Sequence, residues 1–211
     1  MMNFSFILLY YIYFLNKYFF IYFIVNMMFA RSYLSVFTYF CDHDNEIQKG
    51  KALLYEFDDV MEHGFTGVCR TVFQKEWHEH CTMALAPYVV GKETWSLIGD
   101  TILQERNWKR KARGALCIAP RQFGKSFSVA WIIVALCCVR STKQVVLSTA
   151  DRISKEMREK VVDLLGHTTL AYQDKTTRKG FDPSENLFIR NKKGDLSRIS
   201  FFPSQSKIIQ Y

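Results

Sequence analysis

Residues 126–140, SFSVAWIIVALCCVR, are apolar nearly all the way round a helix. Such a helix has no face to give to water, so it must be buried. The chain can enclose it: 211 residues suffice for a sizeable core, and 49% apolar against 23% charged residues is a globular balance. The neighbouring patterns say what encloses it. Ahead lies ALCIA, residues 115–119, a short apolar run of strand length. Behind lies QVVLSTA, residues 144–150, again strand-like, then an amphipathic helix over 151–166. That helix carries Ile153, Met157, Val161, Leu164 and Leu165 on one face, Asp151 as N-cap candidate and Gly166 at its end. NLFIRN and LSRISFFP read as two strands joined by the turn NKKGD. Strand, loop, helix, strand, helix is the order of a parallel α/β unit. The expected fold is therefore α/β, a parallel sheet with flanking helices.

The segment before this unit reads as helical. Residues 31–40 suit a short helix and 41–51 a polar connector. Residues 52–64 place Leu53, Leu54, Phe57, Val60 and Met61 at helical spacing, with Gly64 as a possible C-cap. Residues 71–91 suit a helix ending near Pro87, and 93–114 a helix running into a basic tail. The body shows no internal repeat and no low-complexity tract.

Between the strand at 115–119 and the buried helix lies Ala119-Pro120-Arg121-Gln122-Phe123-Gly124-Lys125-Ser126. A phosphate-binding loop reads G-x-x-x-x-G-K-[ST], so Ala119 stands where the first glycine belongs. A GKS triplet alone is weak, but its setting is informative. Backbone N–H groups and the dipole of the following helix favour a phosphate anion at that point. Gly124 permits close backbone approach. Lys125 is placed to reach the β- and γ-phosphates of ATP, and the Ser126 hydroxyl to bind Mg²⁺. The plainer alternative is a surface strand-to-helix turn.

APRQFGKS with its apolar helix, followed by VVLSTA and an amphipathic helix, resembles the ATPase domain of viral DNA-packaging terminase large subunits. The likeness is to the herpesvirus-like and tailed-phage group, and covers about residue 71 to the end. In that group the loop departs from the strict consensus and carries an arginine ahead of GK[ST], as Arg121 does here. Thr149-Ala150, closing the second strand, also fits. The resemblance implies a truncated P-loop core in an ATP-driven motor that moves double-stranded DNA into a capsid. It implies Arg121 at the γ-phosphate or transition-state charge, and Gln74 as the upstream glutamine that reads adenine. The alternative for Gln74 is an exposed helix glutamine. The implied partners are DNA, the capsid portal, other terminase subunits and further copies of the chain. The implied location is the host nucleus.

One departure limits the resemblance. The family carries an acidic strand after this region, yet downstream of the loop here no apolar run ends in Asp-Glu, and SQSKIIQY follows Pro203. The chain is thus expected to be the front half of a motor, from a first exon, a split gene or a decayed insertion. It is expected to bind nucleotide and hydrolyse it poorly. Two other classes remain open: a membrane-anchored protein without enzymatic activity, and a fragment of a helicase-like P-loop translocase.

The expected organisation is an apolar segment over 1–26, a helical region over 27–113 and the partial ATPase core over 114–211. Residues 2–26 carry one charge, Lys17, and no acid. A transmembrane helix through residues 4–25 is one reading, although a central lysine costs about 2.5–3.5 kcal/mol on insertion scales. Translation of AT-rich non-coding DNA, with a true start at Met27 or Met28, is another. A signal peptide lacks its basic n-region and cleavage site. Without Lys17 the remaining 27 basic residues against 20 acidic leave +7 on the body. That surplus favours a polyanion such as nucleic acid. Residues 108–113, WKRKAR, and 190–198, RNKKGDLSR, are the basic runs that could meet phosphates, or equally form solvated faces. The six cysteines have no C-x-x-C pairing, and Cys117, Cys137 and Cys138 lie in apolar runs as expected of buried thiols in a reducing compartment. His78 and Cys81, near His63 and Cys69, match no zinc spacing and read as ordinary helix surface. Asp174, Asp182 and Asp195 form no catalytic pair.

Overall fold

The computed structural model describes residues 30–109, 112, 114–118, 123–176 and 180–203, with side chains from residue 44 onward. The expected N-terminal apolar segment lies outside the described residues. The chain divides into two compact units, Met1–Glu46 and Ile47–Tyr211. The described part of the first unit, residues 30–46, is helical.

The element order is α1 (Ala30–His63), α2 (Val72–Val90), α3 (Lys92–Glu105), α4 (Lys125–Val139), β1 (Lys143–Ser148), α5 (Asp151–Leu165), β2 (Ala171–Gln173), β3 (Asn186–Asn191) and β4 (Leu196–Pro203). The polar connector expected at 41–51 is helical instead, as part of α1. Its polarity suggested a loop, but it holds no proline. Its one glycine, Gly50, lies in close contact: a Cβ there would come within 2.8 Å of Thr94 and 2.9 Å of Val90. Leu54, Phe57, Val60 and Met61 are buried as their spacing requires. Helix α2 starts at Thr71 with a capping box and runs through Pro87 to Gly91. Helix α3 stops at Glu105, well before the basic tail expected to continue it.

Helix α4 is the centre of the second unit. From Ser128 to Val139 every residue but Val129 is buried. Its neighbours are α5, β2, β3 and α2, so the enclosure demanded by its all-round apolar surface is met. Trp131 is its largest buried side chain: the indole Nε1–H donates to the Met61 carbonyl at 3.2 Å, and Phe65 lies 4.2 Å away between ring centroids. Arg140, just past the helix, donates to the carbonyls of Tyr88 and Val89 at 2.5 and 2.9 Å. It thereby satisfies the orphan acceptors at the end of α2.

The fold is mixed α/β, and the sheet corrects the expectation of a parallel one. Among the described residues it has four strands in the order β1-β4-β3-β2, of which only the β1–β4 pair is parallel. The β2–β3 and β3–β4 pairs are antiparallel, the latter across the expected NKKGD turn. The three-residue strand β2 had no sequence signal. Leu187, Ile189, Ile199 and Phe201 line the face that packs beneath α4 and α5. Helix α5 is capped by the backbone of Ala150 without a side-chain bond, so Asp151 is not the N-cap and instead pairs with Lys155.

The strand expected at 115–119 is absent over the described residues 114–118. Leu116 and Ile118 are 84% and 89% exposed. A strand forms by pairing its N–H and C=O groups with a neighbour. Here β1 is the end strand of the sheet among the described residues, and nothing pairs with 114–118.

Candidate phosphate-binding site

Gly124 is the N-cap of α4 and sits in the left-handed region at φ +76°. A β-carbon is disfavoured there by about 1–2 kcal/mol. A second constraint comes from α2: a Cβ at Gly124 would collide with the side-chain amide nitrogen of Gln74. Glycine is thus the residue that both the backbone angle and the neighbour require. Among the described residues no side chain caps α4 at this end, and the first N–H groups of any α-helix lack intrahelical partners. Lys125 and Ser126 occupy the first turn, Lys125 half-buried and Ser126 exposed. Ala119, Pro120, Arg121 and Gln122 lie outside the described residues, Arg121 with its expected γ-phosphate role among them.

Gln74 comes from the first turn of α2. Its Oε1 accepts from the Thr71 N–H at 2.8 Å, and its own N–H donates to Thr71 Oγ1 at 3.3 Å. This reciprocal bonding is the capping box. It buries the side chain, against the reading of an exposed helix glutamine. The amide nitrogen end then faces Gly124. The fold therefore brings Gln74 to the Gly124 loop, which sequence distance alone could not show. Beside it, Phe73 and Phe123 meet with ring centroids 5.5 Å apart.

A polar chain missed by the sequence reading braces the same corner. Lys75 and Arg70 both pair with Glu62. Arg70 Nη1 donates to His78 Nδ1 at 3.0 Å, and His78 Nε2–H donates to the Ser128 carbonyl at 3.0 Å. The Arg70 guanidinium also lies 5.2 Å from the centroid of the Trp131 ring. Burial, with Arg70 adding to it, lowers the His78 pKa to about 4, so the imidazole is neutral with its proton on Nε2. The hydrogen bond from Lys75 and the charge of Arg70 hold the Glu62 carboxylate below its usual range. The signal that could have found this chain is an arginine just before the α2 cap with a histidine two turns into the helix, at Arg70 and His78.

His78 and Cys81 are buried, which corrects the expectation of an ordinary helix surface. Among the described residues no group of three or more His, Cys, Asp or Glu side chains is placed to hold a metal ion. Cys137 and Cys138 are buried free thiols as expected, whereas Cys117 is only half-buried. Burial pushes the Cys81 and Cys138 thiols up to about 12. Asp174, Asp182 and Asp195 do separate local work: Asp174 accepts from Thr176 and Arg190, Asp182 from Ser184, and Asp195 from Asn191. Among the described residues no helix is long and apolar enough to cross a membrane. Comparison with protein-family models, with curated proteins and with solved structures returns no match.

Proposed function

We propose that Gly124, Lys125 and Ser126 bind the phosphates of a nucleoside triphosphate, as the nucleotide-binding part of a terminase-like DNA-packaging ATPase with a P-loop core. The observation that carries the reading is the GKS triplet opening a buried helix, with its N-cap glycine at φ +76°. Together these leave an anion-seeking helix end where the chain supplies a lysine and a hydroxyl. In this reading Lys125 would hold the β- and γ-phosphates, and the Ser126 hydroxyl would help hold Mg²⁺ beside them. Bound Mg²⁺ would offset phosphate charge. Arg121 keeps its proposed place at the γ-phosphate. Double-stranded DNA, the portal and neighbouring subunits are the partners of the complete motor.

Equilibrium binding of Mg·ATP to the full chain tests this. The wild type binds and Lys125→Ala loses measurable binding, while turnover by this 211-residue chain stays near background, because none of its apolar runs downstream of the loop ends in Asp-Glu. Equal affinity in the two proteins would remove the assignment. Brisk hydrolysis would mean that a catalytic carboxylate lies elsewhere in the chain.

A further inference from the structure

Two aromatic side chains flank the Gly124 loop without being enclosed by the core. Phe73, in the first turn of α2, is 63% exposed, and Phe123, immediately before Gly124, is 41% exposed. Their ring centroids lie 5.5 Å apart at 52°. Most exposed apolar residues are isolated and need no explanation, but a paired aromatic surface beside a polar site is a different matter. Phe73 is fixed by its place in a capped helix, with Gln74 next in the chain packed against Gly124. Phe123 immediately precedes the N-cap glycine of α4, which brings its ring to the same corner. The pair is therefore held at one end of the phosphate-binding corner, and it offers flat π surface rather than donors or acceptors.

We propose that Phe73 and Phe123 form a stacking platform for the heterocyclic base of the bound nucleotide. This rests on the reading of Gly124–Ser126 as a phosphate site. The occupant follows from continuity with that site. A group that joins triphosphate at the helix end and needs a planar apolar surface nearby is a nucleobase. Gln74 Oε1 accepts from the Thr71 N–H, which leaves it a second acceptor site and its amide N–H groups, so edge contact by Gln74 and stacking on the ring pair are separate contributions. The platform itself selects for a stacked ring and discriminates weakly between bases, since every base has a π-face. This role is distinct from the adenine reading expected of Gln74.

Calorimetric titration of the full chain with Mg·ATP, Mg·GTP and Mg·tripolyphosphate separates base from phosphate. The wild type should bind ATP and GTP within a few-fold of each other, and both more tightly than tripolyphosphate. Phe73→Ala should weaken ATP roughly five- to hundredfold, the span of base–aromatic stacking, and leave tripolyphosphate unchanged. Phe73→Trp should retain ATP affinity. If the wild type binds tripolyphosphate as tightly as ATP, the platform fails while the phosphate site stands. The same holds if Phe73→Ala and Phe123→Ala both leave ATP affinity intact. If Phe73→Ala weakens tripolyphosphate as much as ATP, the aromatic ring shapes the loop and is not a base platform. If the wild type binds neither ligand, the underlying phosphate site fails as well.

Discussion

His78 donates its Nε2–H to the Ser128 carbonyl at 3.0 Å, and so bonds α2 directly to the second turn of α4. Because Nδ1 accepts from Arg70, both ring nitrogens are committed in the neutral form. Protonation would put a second hydrogen against a guanidinium inside the core.

Stability should consequently fall with acid in a defined window. The folded pKa of His78 is about 4, against about 6.5 in the unfolded chain. The unfolded state thus takes up the proton first. The contribution is complete above pH 6.5 and is lost as pH drops from 6.5 towards 4. It amounts to roughly 3 kcal/mol, at 1.36 kcal/mol per pKa unit. Urea denaturation of wild type and His78→Gln at intervals across that window should show the wild type losing this much more than the variant. Parallel pH profiles for the two proteins would contradict the assignment.

Gly124→Ala should destabilise for two separable reasons. The left-handed backbone costs about 1–2 kcal/mol for any L side chain. The collision with Gln74 adds to it. Gly194 is the control: its φ is +87° and nothing lies within 4 Å of the added carbon, so Gly194→Ala carries the backbone cost alone. The excess at Gly124 should shrink when Gln74→Ala is combined with it, a non-additivity readable in a double-mutant cycle. Strict additivity would mean that the Gln74 amide does not press on the loop.

The elements that were legible in the sequence are those whose pattern needs no partner to be read. The all-round apolar run of α4 and the spacing of Leu54, Phe57, Val60 and Met61 in α1 each declare burial by themselves. The β3–β4 hairpin declares itself by its turn residues. What escaped the sequence depends on neighbours. Residues 115–119 have the composition of a strand, yet among the described residues 115–118 form no strand. Residues 41–51 look like a loop by polarity, yet Gly50 packs on α3. The α5 N-cap went to a backbone position because Asp151 pairs with Lys155 instead. At the site, Gly124, Lys125 and Ser126 were readable from the motif. The approach of Gln74 and the buried Arg70–His78 chain were not, because they arise from packing α2 against α4.

Trp131 should be among the most sensitive core positions. Its ring is buried among Phe65, Phe127 and Arg70, and its N–H satisfies the Met61 carbonyl. Trp131→Ala should cost about 3–5 kcal/mol. Trp131→Phe keeps most of the apolar volume but leaves the Met61 carbonyl without its donor, for about 1–3 kcal/mol. Denaturant midpoints followed by far-ultraviolet circular dichroism order the three proteins. A Phe variant as stable as wild type would show that water or another donor replaces the indole N–H.

The two basic runs should respond differently when DNA binding is measured against salt. Within 190–198, Arg190 is paired with Asp174 at 2.9 Å and donates to the Gly194 carbonyl at 2.7 Å. Lys193 is paired with Glu56 at 2.6 Å, and Arg198 lies over the Phe181 ring at 4.9 Å. Cations already committed inside the fold release few counterions on meeting phosphate. Lys109, in the other run, is exposed. Affinity for random-sequence duplex should fall linearly with log salt, each phosphate contact contributing about 0.9 to the slope. Lys109→Ala should lower that slope by about one contact. Arg190→Ala should leave it unchanged and reduce stability, because Asp174, whose side chain is 8% exposed, loses a cationic partner. Fluorescence anisotropy over a salt series reads the slopes. A drop for Arg190→Ala with none for Lys109→Ala would move the DNA-facing surface to the β3–β4 turn.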